Sequence, residues 1–177
     1  MYYRDIEIYL FFMIKHPFEP IYDRNSEILI LGSFPSVVSR KQSFYYANRN
    51  NRFWKIMPIL FDETIGDSNS ERTDFLLRHH IALWDVIKSC DIKGSSDNSI
   101  SNVRTNDIKG LIDKTDIKRI YTTGKKAHEL YLEYVYPKLG IEDINLPSTS
   151  SANARMNIDE LVSTYRVIMN TIDSHMN

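Results

Sequence analysis

Cysteine is almost missing from this chain: of its 177 residues only Cys90 carries a thiol. That excludes a disulfide framework, and any zinc or iron–sulfur site with four cysteine ligands from this chain alone. A lone thiol suits a reducing, cytoplasmic setting. An excess of charge of one sign is missing too. The formal net charge is −1, so contact with nucleic acid must rest on a local patch. A run long enough to cross a bilayer is also lacking. The apolar stretch at residues 8–14 is too short and follows Asp5 and Glu7, and it has neither the basic front nor the small-residue cleavage site of a signal peptide. No Gly-x-x-x-x-Gly-Lys-Ser/Thr loop is present to cradle nucleotide phosphates. Ser33 and Ser36 raise the possibility of a serine hydrolase, but there is no Gly-x-Ser-x-Gly elbow and none of the five histidines has a suggestive sequence context.

What is present is an ordinary globular composition, 42% hydrophobic, in a length that fits one domain with a real core. Residues 1–16 read as an amphipathic or buried helix, or as sequence ahead of a start at Met13. Residues 1–15 are therefore set apart as an N-terminal extension and 16–177 as the domain. The continuous apolar run Ile28-Leu-Ile-Leu31, ending at Gly32, has the pattern of a strand buried on both faces. Residues 81–87, 117–121 and 141–146 read as further strands. Phe53, Trp54, Met57, Leu60 and Phe61 have helical spacing within residues 51–61, and residues 124–136 and 157–172 read as helices, the last capped by Asn157 or Ser151. The Ser/Asp/Asn-rich residues 93–106 read as a loop. Strands alternating with helices predict an α/β fold: a three-layer α/β/α sandwich around a mainly parallel four-stranded sheet.

Ligands of such sheets bind beyond the carboxyl ends of the strands. Gly32-Ser-Phe-Pro-Ser36, Gly124-Lys-Lys-Ala127 and Leu146-Pro-Ser-Thr-Ser-Ser-Ala-Asn-Ala-Arg155 fall there. They offer backbone N–H groups and short donors suited to phosphate, although ordinary strand-to-helix turns use the same residue types. Residues 28–61 hold no Asp or Glu but do hold Arg40, Lys41, Arg49, Arg52 and Lys55, interleaved with Phe44, Tyr45, Tyr46, Phe53 and Trp54. Cations for a phosphate backbone beside rings that can stack on bases suit a nucleic-acid groove, though such a run is also compatible with a solvated face over a core.

Gly32-Ser-Phe-Pro-Ser36, Phe44-Tyr-Tyr46, Asn51-Arg-Phe-Trp54, Ala82-Leu-Trp-Asp-Val86 and Leu146-Pro-Ser-Thr-Ser150 with Ala152-Asn-Ala-Arg155 occur in one order and at one approximate spacing. Together they resemble the hypoxanthine-DNA (deoxyinosine) glycosylases of the uracil-DNA glycosylase superfamily, from about His16 to the C-terminus. The resemblance implies a monofunctional glycosylase in base excision repair. The target nucleotide is flipped out of the duplex, its glycosidic bond breaks through an oxocarbenium-like state, and water completes the hydrolysis. It also implies a damaged-DNA substrate, no cofactor and no metal, a monomer, and a cytoplasmic, nucleoid-associated setting.

Other superfamily members carry a water-positioning Asp or Asn where this chain has Phe34, and some carry His or Asn where it has Leu146. The resemblance therefore passes the catalytic role to Asn51, whose alternative is to cap the helix that follows. The backbone of Gly32, Ser33, Phe34, Pro35 and Ser36 would bind the base edge and Tyr46 would stack on it, the alternative for Tyr46 being core packing. Arg49, Ser148, Thr149, Ser150, Asn153 and Arg155 would grip the DNA. The chain departs from the family at Ala47-Asn48-Arg49, where Gly-His-Pro is typical, so Asn48 and Asn50 compete with Asn51 as amide donors. Thr123 also replaces a residue that is usually Asn. A uracil/thymine mismatch glycosylase and a catalytically silent DNA-binding module are the alternatives.

Glycosidic hydrolysis needs charge stabilisation and water rather than a metal, and the chain has no clustered Cys/His ligands. Base release is expected to survive EDTA. Loss of turnover that added divalent ion restores would overturn this.

Overall fold

The computed structural model describes residues 13–173. The strand read at Ile28 is β2 (Ile28–Gly32), buried along its whole length. It lies in the middle of a four-stranded parallel sheet ordered β3 (Ile81–Asp85), β2, β6 (Arg119–Thr123), β7 (Asp143–Leu146). Register places Gly32 opposite Asp85 and Thr123 opposite Leu146, so these four residues end their strands at one edge of the sheet.

Side chains alternate across the sheet and build a core on each face. Ile28, Ile30, Ile81, Leu83 and Tyr121 pack with Phe53, Ile56, Met57 and Leu60 of α2 (Phe53–Phe61), Phe75 and Leu76 of α3 (Asn69–Arg78), Leu161, Val162 and Tyr165 of α7 (Ile158–Tyr165), and Ile168 of α8 (Val167–Asp173). Leu29, Leu31, Ala82 and Ile120 face the other way. They meet Ile108 and Leu111 of α4 (Ile108–Ile112), Leu130 of α5 (Lys125–Leu130), and Tyr131 and Val135 of a π-helical stretch (Tyr131–Val135) that runs on into α6 (Tyr136–Leu139). The expected α/β/α sandwich is thus present. The short α1 (Val37–Gln42) follows the first strand end, capped by the Ser36 hydroxyl.

Four elements differ from the expectations. The strand expected at 81–87 stops at Asp85, and the chain re-enters extended structure as β4 (Ile87–Asp91), which belongs to a second, antiparallel sheet ordered β1-β4-β5. The loop expected at 93–106 contains β5 (Ser101–Thr105) of that sheet, its polar residues pairing through backbone rather than through an apolar face. Of the N-terminal run, residues 1–12 lie outside the described residues. Ile14–Lys15 is the strand β1, paired with Ser89 and Cys90, where a helix was one of the two readings. The C-terminal helix is interrupted at Arg166 into α7 and α8. Among the described residues no helix is long and apolar enough to cross a membrane.

Asn157, one of the two expected caps, accepts from the Glu160 amide while the Glu160 carboxylate accepts from the Asn157 amide, a reciprocal capping box. Asn157→Ala is expected to lower stability by about 1 kcal/mol. In urea this should appear as a reduced midpoint with an unchanged slope; an unmoved midpoint would refute it.

Candidate active site

A cavity of about 200 Å³ opens at the carboxyl ends of the parallel strands, lined by Gly32–Ser36, Tyr45, Tyr46, Asn48, Asn51, Asp85, Asp97, Thr123 and Ser148–Ser151 among others. Gly32 is needed as glycine here: a Cβ on it would stand 2.2 Å from Asp85 Oδ1 and 3.4 Å from the Tyr46 hydroxyl. Phe34 and Leu146 are 8% and 1% exposed and belong to the two cores, so neither position orients water. An edge contact from His16 and the Arg40 guanidinium over its ring hold Phe34 in place.

Tyr46 forms one wall. Its ring stacks on Phe53 with centroids 4.2 Å apart, and its hydroxyl lies 2.9 Å from Thr123 Oγ1. Its φ of 51° is left-handed, a conformation that costs a bulky residue free energy and that the surrounding contacts must sustain. Desolvation, with the Asp85 carboxylate adding to it, raises the phenol well above its ordinary range, so the hydroxyl stays protonated. Thr123 thus takes part as the partner of the Tyr46 hydroxyl.

Asn51 does not occupy the N-cap position itself, which is Arg52, but its Oδ1 accepts from the Phe53 amide at 2.9 Å in the first turn of α2. The same oxygen accepts from the Thr149 hydroxyl at 2.8 Å. A backbone N–H and a hydroxyl both require an acceptor, which settles which end of the amide is oxygen. Nδ2 has no hydrogen-bond partner among the described residues, so it is the donor that Asn51 offers to the cavity. Of the competing amides, Asn48 Oδ1 accepts from the Asn50 amide, and Asn50 is exposed and does not line the cavity.

Thr149 requires a correction. Expected to hold DNA, it is 1% exposed and its hydroxyl is committed to Asn51. Arg52, counted among cations for a DNA groove, is half-buried and spends its guanidinium within the fold. Its guanidinium donates to the carbonyls of Thr149 at 3.3 Å, Ser150 at 2.7 Å and Asn153 at 2.9 Å, and to that of Met156. Arg40 reaches the carbonyls of Pro35 and Gly94. Lys41, Arg49, Lys55 and Arg155 remain exposed, with no ion pair among the described residues. Ser148 and Ser150 accept from the backbone amides of Ser150 and Ala152, and Asn153 Nδ2 donates to the Ser148 carbonyl. These side chains shape the loop, leaving the serine O–H hydrogens to donate.

Two groups at the cavity were not singled out from sequence. Asp85 is 5% exposed, and its Oδ2 accepts from His16 Nε2 at 2.8 Å. Asp97 Oδ1 accepts from the Ser33 hydroxyl at 3.0 Å. Asp85 stood within a recognised segment, and a charged residue closing an apolar strand is itself a signal. Nothing near His16 in the sequence marks it.

One ammonium cannot replace the fork with which Arg52 serves four carbonyls. Arg52→Lys is expected to reduce stability by on the order of 2 kcal/mol or more and to speed amide exchange at Phe53, as the loop that holds Asn51 loosens. Unchanged unfolding and exchange would show that the clamp contributes nothing.

Comparisons with known proteins bear on the family and the fold. The uracil DNA glycosylase superfamily matches residues 19–167. A Methanosarcina acetivorans protein named hypoxanthine DNA glycosylase is 39% identical over 145 residues, covering 81% of this chain and 90% of its own length. A Methanosarcina barkeri protein of the same name is 36% identical over the same coverage. The solution NMR structure of a candidate uracil DNA glycosylase from Methanosarcina acetivorans superimposes with a TM-score of 0.73 at 34% identity, covering 89% of this chain and 99% of that one. A shared fold, a cavity at the strand ends and similarity along most of the chain place this protein in the uracil DNA glycosylase superfamily.

Proposed function

We propose that the chain is a monofunctional DNA glycosylase that releases hypoxanthine from deoxyinosine in DNA, with Asn51 as its principal catalytic residue. The observation that carries the reading is the Asn51 amide. Its oxygen is held by Phe53 and Thr149, and its Nδ2 is left as a donor beside a stacking ring in a cavity at the strand ends. The two curated relatives bear the name of this activity.

Hydrolysis of the glycosidic bond develops positive charge on the sugar and negative charge on the departing base. A preorganised neutral donor stabilises the base without bringing a cation into the cavity. With its oxygen occupied, Asn51 serves through N–H, to the leaving base or to the oxygen of a water. Tyr46 stacks on the flipped base, and the Gly32–Ser36 backbone meets its edge. No lysine lines the cavity among the described residues, so no amine is placed there for a Schiff base. This agrees with a water-dependent, monofunctional reaction. Outside the cavity, Arg49 and Arg155, with Lys41 and Lys55, supply cations for phosphate, and the Ser148 and Ser150 hydroxyls supply short donors. The enzyme acts as a monomer at the nucleoid, where its substrate lies.

A panel of labelled duplexes bearing hypoxanthine, xanthine, uracil or a thymine mismatch, read by alkaline cleavage of abasic sites, tests the activity; release of no base would leave a DNA-binding module. Single-turnover excision then tests the assignment. Folded Asn51→Ala is expected to lose about a hundredfold or more in hypoxanthine release while largely retaining DNA binding. Loss of the bond from the Phe53 amide alone would cost only about 1 kcal/mol of stability. Near-normal turnover in Asn51→Ala, with collapse in Asn48→Ala or Asn50→Ala, would move the role to that residue.

A further inference from the structure

We infer that Asp97 is a second catalytic residue: from the mouth of the cavity its carboxylate faces the sugar of the flipped nucleotide and stabilises the positive charge that grows there as the base departs. The inference rests on the glycosylase reading above and adds to the chemistry of the same cavity. Asp97 opens a short helical turn, Asp97–Ser99, in the segment between β4 and β5. Side-chain bonds hold that segment in place. The Lys93 amide donates to Ser99 Oγ at 2.8 Å, and the Ser99 hydroxyl donates to the Ser96 carbonyl at 2.7 Å. Across to the segment after β2, the Val37 amide donates to Ser95 Oγ at 2.9 Å and Arg40 to the Gly94 carbonyl at 3.0 Å. Asp97 is thus presented by a braced turn. Its Oδ1 accepts from the Ser33 hydroxyl at 3.0 Å, whereas Oδ2 has no hydrogen-bond partner among the described residues. Asp97 lines the cavity yet is exposed, which sets it at the mouth, while Asp85, 5% exposed, marks the deep part. A flipped base enters first, and its sugar, still joined to the strand, stays nearer the mouth.

Hydrolysis breaks the C1′–N9 bond with its electron pair going to the base. Positive charge spreads over C1′ and O4′, water adds at C1′, and the proton that water loses ends on the departing base. A carboxylate at the rim repels the phosphate backbone, so it adds nothing to binding of the intact duplex. It gains an opposite charge only as the sugar becomes cationic, which is the condition for accelerating the reaction. No Lys or Arg lines the cavity among the described residues to neutralise it first. Desolvation raises the Asp97 carboxyl above its usual range, against the Ser33 hydrogen bond and the Lys126 charge, which favour the ionised form; the Asp85 charge adds to the rise. Such a carboxylate is incompletely compensated by its own surroundings. Phe34 leaves an apolar group where other superfamily members carry Asp or Asn, and Asp97 brings a carboxylate to the neighbouring Ser33 from a different segment of the chain.

The test separates charge from bracing. Asp97→Asn keeps a carbonyl oxygen for the Ser33 hydroxyl and removes the charge. Single-turnover release of hypoxanthine is expected to fall by about tenfold or more, while affinity for the uncleaved duplex is kept or slightly improved because a repulsion of phosphate is gone. Duplexes carrying two abasic analogues read the same charge without turnover. One has a pyrrolidine ring, cationic where the sugar of the transition state is cationic, and the other a neutral tetrahydrofuran. The wild-type protein is expected to bind the pyrrolidine duplex more tightly, and Asp97→Asn to lose about tenfold or more of that preference. A preference that is the same in both proteins would overturn the inference and leave Asp97 as a brace for Ser33. A loss of duplex binding as large as the loss of release would overturn it too. If the wild-type protein releases no base, the glycosylase reading fails, and the pyrrolidine preference still decides whether Asp97 faces the sugar.

Discussion

The site depends on a single guanidinium. Arg52 stands where α2 begins and donates to four carbonyls of the loop between β7 and α7, nearly one hundred positions further along the chain. Those carbonyls belong to a segment that is neither helix nor strand, and without donors they would be partly buried and unpaired. The planar fork suits the task because its N–H groups diverge in fixed directions. Once the loop is held, Thr149 is held with it. The Thr149 hydroxyl and the Phe53 amide then fix the Asn51 oxygen. Loop, helix start and the Asn51 amide are therefore positioned as one unit.

Charge is divided between the cavity and its surroundings. The cavity contains the carboxylates of Asp85 and Asp97, many hydroxyls and amides, and no Lys or Arg among its lining residues. Lys41, Arg49, Lys55 and Arg155 are exposed and lie outside it. Such a distribution draws a phosphate backbone to the outer surface while disfavouring phosphate within the cavity, which suits a neutral base carrying N–H donors. It also suits a reaction that develops positive charge on a sugar. A local arrangement of this kind is compatible with a polyanionic partner at a net charge of −1.

The parallel sheet and its helices were legible because their signals are local. Ile28-Leu-Ile-Leu31 can only be a doubly buried strand in such a context, and the spacing from Phe53 to Phe61 turns one apolar face toward the core. The antiparallel sheet was not legible. β5, Ser101–Thr105, has hardly any apolar alternation, and β1 has two residues; each exists because β4 lies beside it. The break after Asp85 was marked only by that one charge within an apolar stretch, which by itself does not show that Val86 turns the chain from one sheet to the other.

By itself the sequence determined the fold class, the place of the site at the strand ends and the segments that build it, because burial periodicity and turn chemistry act within a few residues of the chain. The family resemblance, with Phe34 and Leu146 at the positions where relatives orient water, is what pointed to Asn51. Only the tertiary structure decided what each polar group does. Thr149 turns inward to an amide 98 positions away, Arg52 is a clamp rather than a DNA contact, and His16 meets an aspartate 69 positions distant. Hydrogen bonds between groups so far apart depend on angles and distances that only the folded packing sets, and one-dimensional spacing carries no record of them.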